Sequence, residues 1–287
     1  MDVLLLDSHS LLHACTAIAA SRQFLTPRAG PFTNQPIGPS FIFVRSLLSI
    51  LKDLNFPATI AVFDGGVSPW RLELLSVYKR TPAGSSTGNL VNTDKLFEMN
   101  RNFLRNVVLP SLEIPTVMAP HVEADDLIAY IALNLPSPVR ITIASADADF
   151  DQLLRKGTRT ILRYDLREKK YVTSCAADEH ILYKCLTGCR SDNIPGVGQI
   201  GQGRAKKFLE KPTALRKALT PQQQENFRRN YQLISLPYAA RKLPAEIREP
   251  LDHLIRQPLG KPVIGEKTKK LFKDLEWNSV LKSSEHT

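Results

Sequence analysis

Seven acidic residues stand where folding could bring their carboxylates together. Three of them follow short apolar runs: Asp7 comes after Val3–Leu6, Asp64 after Thr59–Phe63, and Asp147 shortly after Ile141–Ala144. Such runs predict buried strands of a parallel sheet, and ligand chemistry gathers at the carboxyl ends of those strands. We therefore expect one edge of the sheet to collect the full set: Asp7, Asp64, Glu123, Asp125, Asp126, Asp147 and Asp149.

Crowded carboxylates predict a bound cation. They repel one another and are costly to remove from water unless a positive charge lies between them. Carboxylate and water oxygens are the ligands that suit the hard ions Mg²⁺ and Mn²⁺. The pattern therefore indicates metal-assisted chemistry on a phosphate.

The overall charge points to a polyanion as partner. The chain has 287 residues, 43% of them hydrophobic, which is enough for one large or two small domains with a full core. Its net charge is +10 and its pI is about 9.5. A basic protein with a dense acidic cluster is typical of a metal site within a nucleic-acid-binding surface. A basic surface that serves only solubility is the simpler alternative.

The cysteines and the apolar segments argue against a zinc-finger protein, a membrane protein and a secreted protein. Cys15, Cys175, Cys185 and Cys189 form no C-x-x-C pair, and no histidine lies at zinc-finger spacing. We expect mostly buried, inert thiols and no structural zinc. No stretch approaches the ~20 apolar residues of a membrane span, and no signal peptide is evident. The sequence therefore predicts a soluble cytoplasmic protein with no membrane partner.

Strand and helix signals divide the chain. They alternate over residues 1–175, whereas helices, turns and basic residues dominate residues 176–287. This predicts an α/β core with a mostly parallel central sheet, followed by a helical region packed on that core. Residues 80–94 have the composition of a mobile loop.

A glycine-rich segment follows in the helical region. Gly196–Gly201 satisfies the pattern G-x-G-x-x-G, but the residues before it do not form a strand and no βαβ unit surrounds it. The better interpretation is a glycine hairpin between two helices, whose backbone N–H groups suit a nucleic-acid phosphate. The residues concerned are Gly196, Gly198, Gly201 and Gly203, with Arg204, Lys206 and Lys207 adding charge.

Five motifs in this order resemble the 5′-nuclease superfamily. They are Asp7; Val62–Gly65 with Arg71, Tyr78 and Lys79; Glu123–Asp126; Ser145–Phe150; and Ser191–Val197. The resemblance runs from Asp7 to about Leu209. The superfamily includes bacterial and phage flap endonucleases, 5′–3′ exonucleases and the 5′-nuclease domain of DNA polymerase I. It implies a PIN-like α/β core, an arch at about residues 78–115, and a helix–hairpin–helix in the C-terminal region.

The resemblance also implies roles for individual residues. Asp7, Asp64, Glu123, Asp125 and Asp147 resemble ligands of a first Mg²⁺ or Mn²⁺ ion, and Asp126, Asp149 and Asp192 resemble groups that serve a second. Lys79 and Arg71 would face the scissile phosphate. Arg80 would contact DNA, and Tyr78 would stack on a terminal base or belong to the core. A K⁺ ion would bind backbone carbonyls at the turn marked by Val197 and Ile200.

The implied activity is hydrolysis of DNA with a free or flapped 5′ end by a monomer. An RNA strand in an RNA–DNA hybrid is a further implied substrate. Two alternatives remain open: a branched-DNA-binding protein whose catalysis has decayed, and a PIN-type ribonuclease. Proteins of the second kind are usually shorter and lack the glycine hairpin.

One position departs from the family pattern. Within Gly188–Asn193, Cys189 stands where the family has an aspartate. Because a neutral thiol is a poor ligand for Mg²⁺, we predict looser binding of the second ion. We also predict an extended segment that points Asp147 and Asp149 the same way, and hydroxyls of Ser8 and Ser145 that orient the neighbouring acids.

Overall fold

Six strands form a central, mostly parallel sheet in the described part of the protein. The computed structural model describes residues 1–21, 26–27, 31–55, 57–80, 90–172, 177–210, 215 and 218–284. The sheet order is β3-β2-β1-β4-β5-β6, and only β6 runs antiparallel to its neighbour. The strands are β1 Asp2–Asp7, β2 Ala58–Val62, β3 Thr116–Val117, β4 Val139–Ser145, β5 Arg159–Asp165 and β6 Lys170–Val172. The predicted fold class is confirmed.

Helices cover both faces of the sheet. They are α1 Ser8–Ser21, α2 Gly38–Asp53, α3 Pro69–Leu74, α4 Leu90–Phe103, α5 Ala124–Asn134, α6 Ala177–Thr187, α7 Gln202–Glu210, α8 Pro221–Ile234, α9 Leu236–Lys242, α10 Ala245–Arg256, α11 Glu266–Asp274 and α12 Asn278–Ser284. A π-helical turn, Leu104–Val108, and a last turn, Leu109–Ser111, extend α4. A 3₁₀ helix spans Ala148–Leu153, and a small hairpin pairs β7 Gly188–Cys189 with β8 Ile194–Pro195.

Alternation along β1 divides the core into two layers. Val3 and Leu5 pack with α5 on one face of the sheet, whereas Leu4 and Leu6 pack with α1 and α2 on the other. Successive side chains of a strand point to opposite faces, so a run of consecutive apolar residues places buried side chains on both faces of the sheet. The C-terminal helices contribute Leu251 to the first layer and other residues to the second. The division at residues 175/176 stays a prediction.

Some local expectations need adjustment. Helix α4 already begins at Leu90, so the second part of the predicted loop at residues 80–94 is helical, while residues 81–89 lie outside the described residues. Cys15 and Cys185 are buried, which raises the pKa of each thiol to about 12, and Cys175 lies outside the described residues. A search of the described helices finds none with the length and apolar character needed to span a membrane.

Candidate active site

Four carboxylates gather at the carboxyl edge of the sheet. Asp7 is the last residue of β1 and lies beside Val62 in the register, Asp64 follows β2, and Asp147 follows β4. Asp125 lies in the first turn of α5. We call Asp7, Asp64, Asp125 and Asp147 the carboxylate cluster. Within the described residues, none of these four side chains forms an ion pair with a lysine, arginine or histidine.

Hydroxyl and amide donors hold the cluster in place. The Ser145 hydroxyl donates to Asp7 Oδ2 over 2.6 Å, and the Ser10 amide donates to Asp7 Oδ1 over 3.0 Å. The Asp147 amide donates to the Ser145 hydroxyl over 3.0 Å. Ser145 therefore orients the acids as predicted. The Ser8 hydroxyl instead donates to the Leu6 carbonyl at 3.4 Å, because its side chain turns back into the strand.

Burial and mutual repulsion raise the pKa values of Asp7, Asp125 and Asp147 in the cluster. Burial, with contributions from Asp147 and Asp64, raises the pKa of Asp7 to about 6. Burial and the neighbouring Asp7 raise the pKa of Asp125 well above its ordinary value. The pKa of Asp147 is also raised, first by desolvation and then by Asp149. Each shift shows that the ionised form is disfavoured without a cation.

The donor set fits a hydrated divalent ion. Across the described ranges, no three His, Cys, Asp or Glu side chains are arranged to enclose a metal ion by themselves. Mg²⁺ usually keeps several waters and takes only one or two carboxylates, so a closed protein shell is not required. The carboxylate cluster offers oxygen donors whose mutual repulsion such an ion would remove.

A buried arginine neutralises the neighbouring acids. Arg71 in α3 is only 2% exposed and makes a two-pronged contact with Asp126, with Nη1–Oδ2 at 2.6 Å and Nη2–Oδ1 at 2.8 Å. Its Nη1 also donates to Glu123 Oε1 over 3.2 Å. Burial alone would lower the pKa of Arg71, but Asp126 and Glu123 outweigh it and raise that pKa. Both oxygens of Asp126 are therefore already engaged.

The other oxygen of Glu123 meets Tyr78 and Lys79. The Tyr78 hydroxyl donates to Glu123 Oε2 over 3.2 Å, and Lys79 forms an ion pair with the same atom. Tyr78 is only 4% exposed, which favours the core alternative over stacking on a base. The Lys79 side chain is 31% exposed, so it presents a cation at the rim of the site.

The Ser191–Asn193 segment fixes the turn that carries Lys79. The Asn193 side-chain amide donates to the carbonyls of Val77 at 3.1 Å and Arg80 at 2.7 Å. The Lys79 amide donates to the Asp192 carbonyl over 3.0 Å. These contacts hold Lys79 in a left-handed conformation, with φ of 49°. Two motifs more than a hundred residues apart thus form one unit.

A lysine lies at the other end of the cavity. Asp149 Oδ1 forms an ion pair with Lys184 and lies 3.2 Å from His180 Nε2. Burial alone would raise the pKa of Asp149, but its hydrogen bond with His180 and the charge of Lys184 lower it. We call Asp149, His180, Lys184, Cys189 and Asp192 the lysine-centred group. Here the acid finds its cation within the protein.

The predicted extended segment is wrong. Asp147 has extended backbone angles, but the 3₁₀ helix begins at Ala148 and contains Asp149. The Asp149 amide donates to Asp147 Oδ1 over 2.8 Å, closing the first turn of that helix. Because the chain curls at this point, Asp149 turns towards α6 rather than projecting alongside Asp147.

The unusual cysteine contacts the remaining acid of this group. Cys189 Sγ lies 3.1 Å from Asp192 Oδ2 and 3.0 Å from Ser191 Oγ. Burial raises the pKa of the Cys189 thiol, and Asp192 raises it further, although the Ser191 hydroxyl acts against this. A protonated thiol that donates to Asp192 adds no negative charge to the group.

The glycine hairpin forms as a tight connection between α6 and α7. A β-carbon at Gly196 would lie 2.7 Å from the Thr187 carbonyl oxygen, so only glycine fits there. Gly198, Gly201 and Gly203 have open space around them. Val197 and Ile200 bury their side chains beneath the turn, and Ala205 anchors α7. The remaining face of α7 exposes Arg204, Lys206 and Lys207.

A single cavity joins these parts. Its lining includes Arg71, Tyr78, Lys79, Glu123, Asp125, Asp147, Asp149, Lys184 and Asp192, with Leu233, Ile234 and Leu236 forming an apolar wall. Sequence reasoning missed His180, Lys184 and Asn193. His180 and Lys184 are four residues apart on α6, a spacing that places them on one helical face, but their partner could not be read from that spacing.

Known proteins share this fold. A flap endonuclease of bacteriophage T5 matches with a TM-score of 0.68 and 21% identity, over 89% of this chain and 98% of the phage chain. Thermostable DNA polymerase I of Thermus filiformis is 30% identical over 215 residues, which are 72% of this chain and 23% of the polymerase. A 5′–3′ exonuclease of Buchnera aphidicola is 27% identical over 188 residues, 62% of each chain.

The fold and the acidic edge thus place the protein among α/β proteins with a nuclease-like architecture. Residues 2–181 match the family model described as the 5′–3′ exonuclease N-terminal, resolvase-like domain. The chain therefore belongs to the 5′–3′ exonuclease family. It spans about a quarter of the length of the DNA polymerase I relatives that it matches.

Proposed function

We propose that this protein is a metal-dependent, structure-selective 5′ nuclease that hydrolyses phosphodiester bonds of DNA with free or flapped 5′ ends. The observation that carries the proposal is the carboxylate cluster, which forms no ion pair among the described residues and two of whose members, Asp125 and Asp147, line one cavity with Lys79. Family membership supports the same reaction and favours it over a PIN-type ribonuclease.

Each side chain has a part in the proposed reaction. Bound divalent ions would activate water and stabilise the leaving oxygen. Asp7, held by Ser145, and Asp64, Asp125 and Asp147 would supply oxygen ligands. Lys79 would offset negative charge on the phosphate, because it presents a cation at the rim. Arg71 has a predicted role at the scissile phosphate, and its contacts with Glu123 and Asp126 would also hold these two acids in place.

We propose Mg²⁺ or Mn²⁺ as the ions, since the donors are carboxylates. The T5 relative was crystallised with DNA and metal ions, which supports both partners here. Three acids with predicted roles near the ions already form ion pairs with lysine or arginine: Glu123, Asp126 and Asp149. They can keep those roles only if each carboxylate contacts an ion while it still contacts its lysine or arginine partner. A hydrated ion would require less of them than a fully protein-bound one.

We propose the glycine hairpin and α7 as the DNA-binding surface. Gly196, Gly198, Gly201 and Gly203 would bring the backbone close to a phosphate, and the exposed Arg204, Lys206 and Lys207 would add charge without reading sequence. Arg80 would contact the DNA next to Lys79. K⁺ would bind carbonyls at the turn of Val197 and Ile200. An RNA strand paired with DNA is a further proposed substrate of the monomer.

The experiment is cleavage of a 5′-labelled flap duplex in Mg²⁺ by the wild type and by Asp147→Asn. We expect metal-dependent cutting near the branch that is lost in the variant and absent in a chelator. The matched control is Glu249→Gln, which removes an exposed charge from α10.

Binding without cutting would overturn the proposed nuclease. If the wild type binds the flap duplex tightly but cuts it neither in Mg²⁺ nor in Mn²⁺, the protein is a branched-DNA-binding protein. In that case neutralising Arg204, Lys206 and Lys207 should abolish binding, and binding should weaken steeply with salt.

A further inference from the structure

Lys184 lies among several acceptors of the lysine-centred group. Its ammonium forms an ion pair with Asp149, and Asp147 and Cys189 also contribute to its electrostatic surroundings. The side chain is 25% exposed, and it emerges from α6, a helix that packs against α8 and the 3₁₀ helix. Its position is therefore set by the fold rather than by a mobile loop.

The acceptor that Lys184 occupies is the one a second divalent ion would require. Asp149 Oδ1 already receives both Lys184 and His180. An ion that coordinates Asp149 must displace the ammonium or share the carboxylate with it, and like charges at such short range oppose each other. Among the described acids at the cavity, Asp149 is the one that pairs with a lysine on α6.

Cys189 supplies no negative charge that could balance Lys184 and a divalent ion together. A carboxylate at this position would add a negative charge to balance both a lysine and a divalent ion. The thiol is neutral when protonated, and its Sγ–Oδ2 contact of 3.1 Å ties it to Asp192. The negative charges of the lysine-centred group are therefore those of Asp149 and Asp192, which must balance the ammonium of Lys184. Sulfur is a poor ligand for a hard ion such as Mg²⁺.

We infer that Lys184 is a built-in cation that takes the place of a second divalent ion, so that the DNA-free protein binds one divalent ion tightly and a second one only weakly. The carboxylate cluster holds the tight ion. This inference rests on the proposed function for the identity of the ions, and it assigns to Lys184 the control over their number.

The test counts Mn²⁺ ions bound to the DNA-free protein, by the loss of the free-ion signal in electron paramagnetic resonance. The wild type should bind one ion tightly. Lys184→Met keeps the length of the side chain and removes the charge, so it should bind a second ion at least about tenfold more tightly than the wild type. Lys52→Met, at the exposed end of α2, is the control for lost charge.

Cys189→Asp provides an independent arm, because it leaves Lys184 in place. Cys189→Asp should also bind the second ion more tightly than the wild type does. The double variant with Lys184→Met should bind two ions most tightly. Thermal unfolding of each variant reports whether it is folded. Two tight ions in the wild type would overturn the inference, as would a folded Lys184→Met variant that binds the second ion no more tightly than the wild type, whatever Cys189→Asp does.

Failure of this inference is distinguishable from failure of the proposed function. If the wild type cuts the flap duplex but binds two ions tightly, Lys184 is not a substitute cation although the nuclease stands. If Lys184→Met gains an ion while no variant cuts any DNA, the inference stands and the nuclease does not.

Discussion

The two ends of the cavity handle negative charge in opposite ways. In the carboxylate cluster, Asp7 and Asp125 have raised pKa values and no ion-pair partner among the described residues. In the lysine-centred group, the pKa of Asp149 is lowered because His180 and Lys184 outweigh its burial. Asp125 and Asp147 from the first group and Asp149 and Lys184 from the second line the same cavity. Burial raises the pKa at both ends, and the side chains that α6 supplies reverse that effect only at Asp149.

Acids without an ion pair favour metal binding, whereas acids with an ion pair favour stability of the fold. Unpaired acids make the protein less stable without metal, and a bound cation would relieve their repulsion. Paired acids stabilise the fold, but a metal must compete for them. Arg71 extends the second pattern into the interior, where it binds Asp126 and Glu123. Substitutions at the two ends should therefore have opposite effects on stability.

The largest effect should come from Asp125→Asn. This change removes a carboxylate that forms no ion pair among the described residues. We expect kcat/KM on the flap duplex to fall about a thousandfold, because a proposed metal ligand is lost. Steady-state cleavage assays check this. A rate within tenfold of the wild type would show that the cluster does not form the metal site.

Arg71→Met should cost about 3–5 kcal/mol of the free energy of unfolding, because it leaves Asp126 and Glu123 buried without their partner. Urea unfolding measures this change. The double variant Arg71→Met with Asp126→Leu should lose less than the single variant, since no unpaired charge is left at that position. Equal losses would indicate that packing rather than the ion pair dominates.

Stability without metal should decrease as the pH rises from 4 to 7. Folded Asp7 keeps its proton up to a pKa of about 6, whereas the unfolded chain releases it near 4. The folded state therefore binds more protons in this window, and Asp7 alone should contribute a loss of about 3 kcal/mol on going to pH 7. Urea unfolding at each pH checks this, with Asp7→Asn as the matched control. Added Mg²⁺ should restore stability at pH 7.

Asp149→Asn should lower the stability of the metal-free protein by about 1–2 kcal/mol at pH 7, after allowance for the partial exposure of Lys184. The reason is that Lys184 and His180 lose their common acceptor. Asp125→Asn should raise stability under the same conditions, because it relieves crowding. Changes of the same sign in the two variants would remove the contrast between the two ends of the cavity.

Ser145→Ala should have the smallest effect, about tenfold weaker Mn²⁺ binding, because groups that orient metal ligands contribute on this scale. Its hydroxyl links Asp7 and the Asp147 backbone. Ser8→Ala is the matched control, since that hydroxyl bonds only to the Leu6 carbonyl. Equal behaviour of the two variants in a Mn²⁺ titration would contradict the role of Ser145.

Residue type and order alone predict which acids reach the sheet edge. Apolar runs such as Val3–Leu6 form buried strands because they must be covered on both faces, and the acids that follow them emerge at the same edge. A tight turn at Gly196–Gly201 could also be predicted, because clustered glycines favour turns. Both are local consequences of residue type and order.

The packing of the helices, by contrast, sets which acids are paired with a cation. Arg71 meets Asp126 across 55 residues, and Lys184 meets Asp149 across 35, so neither partnership has a signal in local spacing. The 3₁₀ helix that turns Asp149 towards α6 depends on packing of that segment against the sheet. A charge acts over a few ångströms in space, whereas sequence patterns record neighbours along the chain. The state of each carboxylate was therefore fixed by contacts that form only when the helices pack.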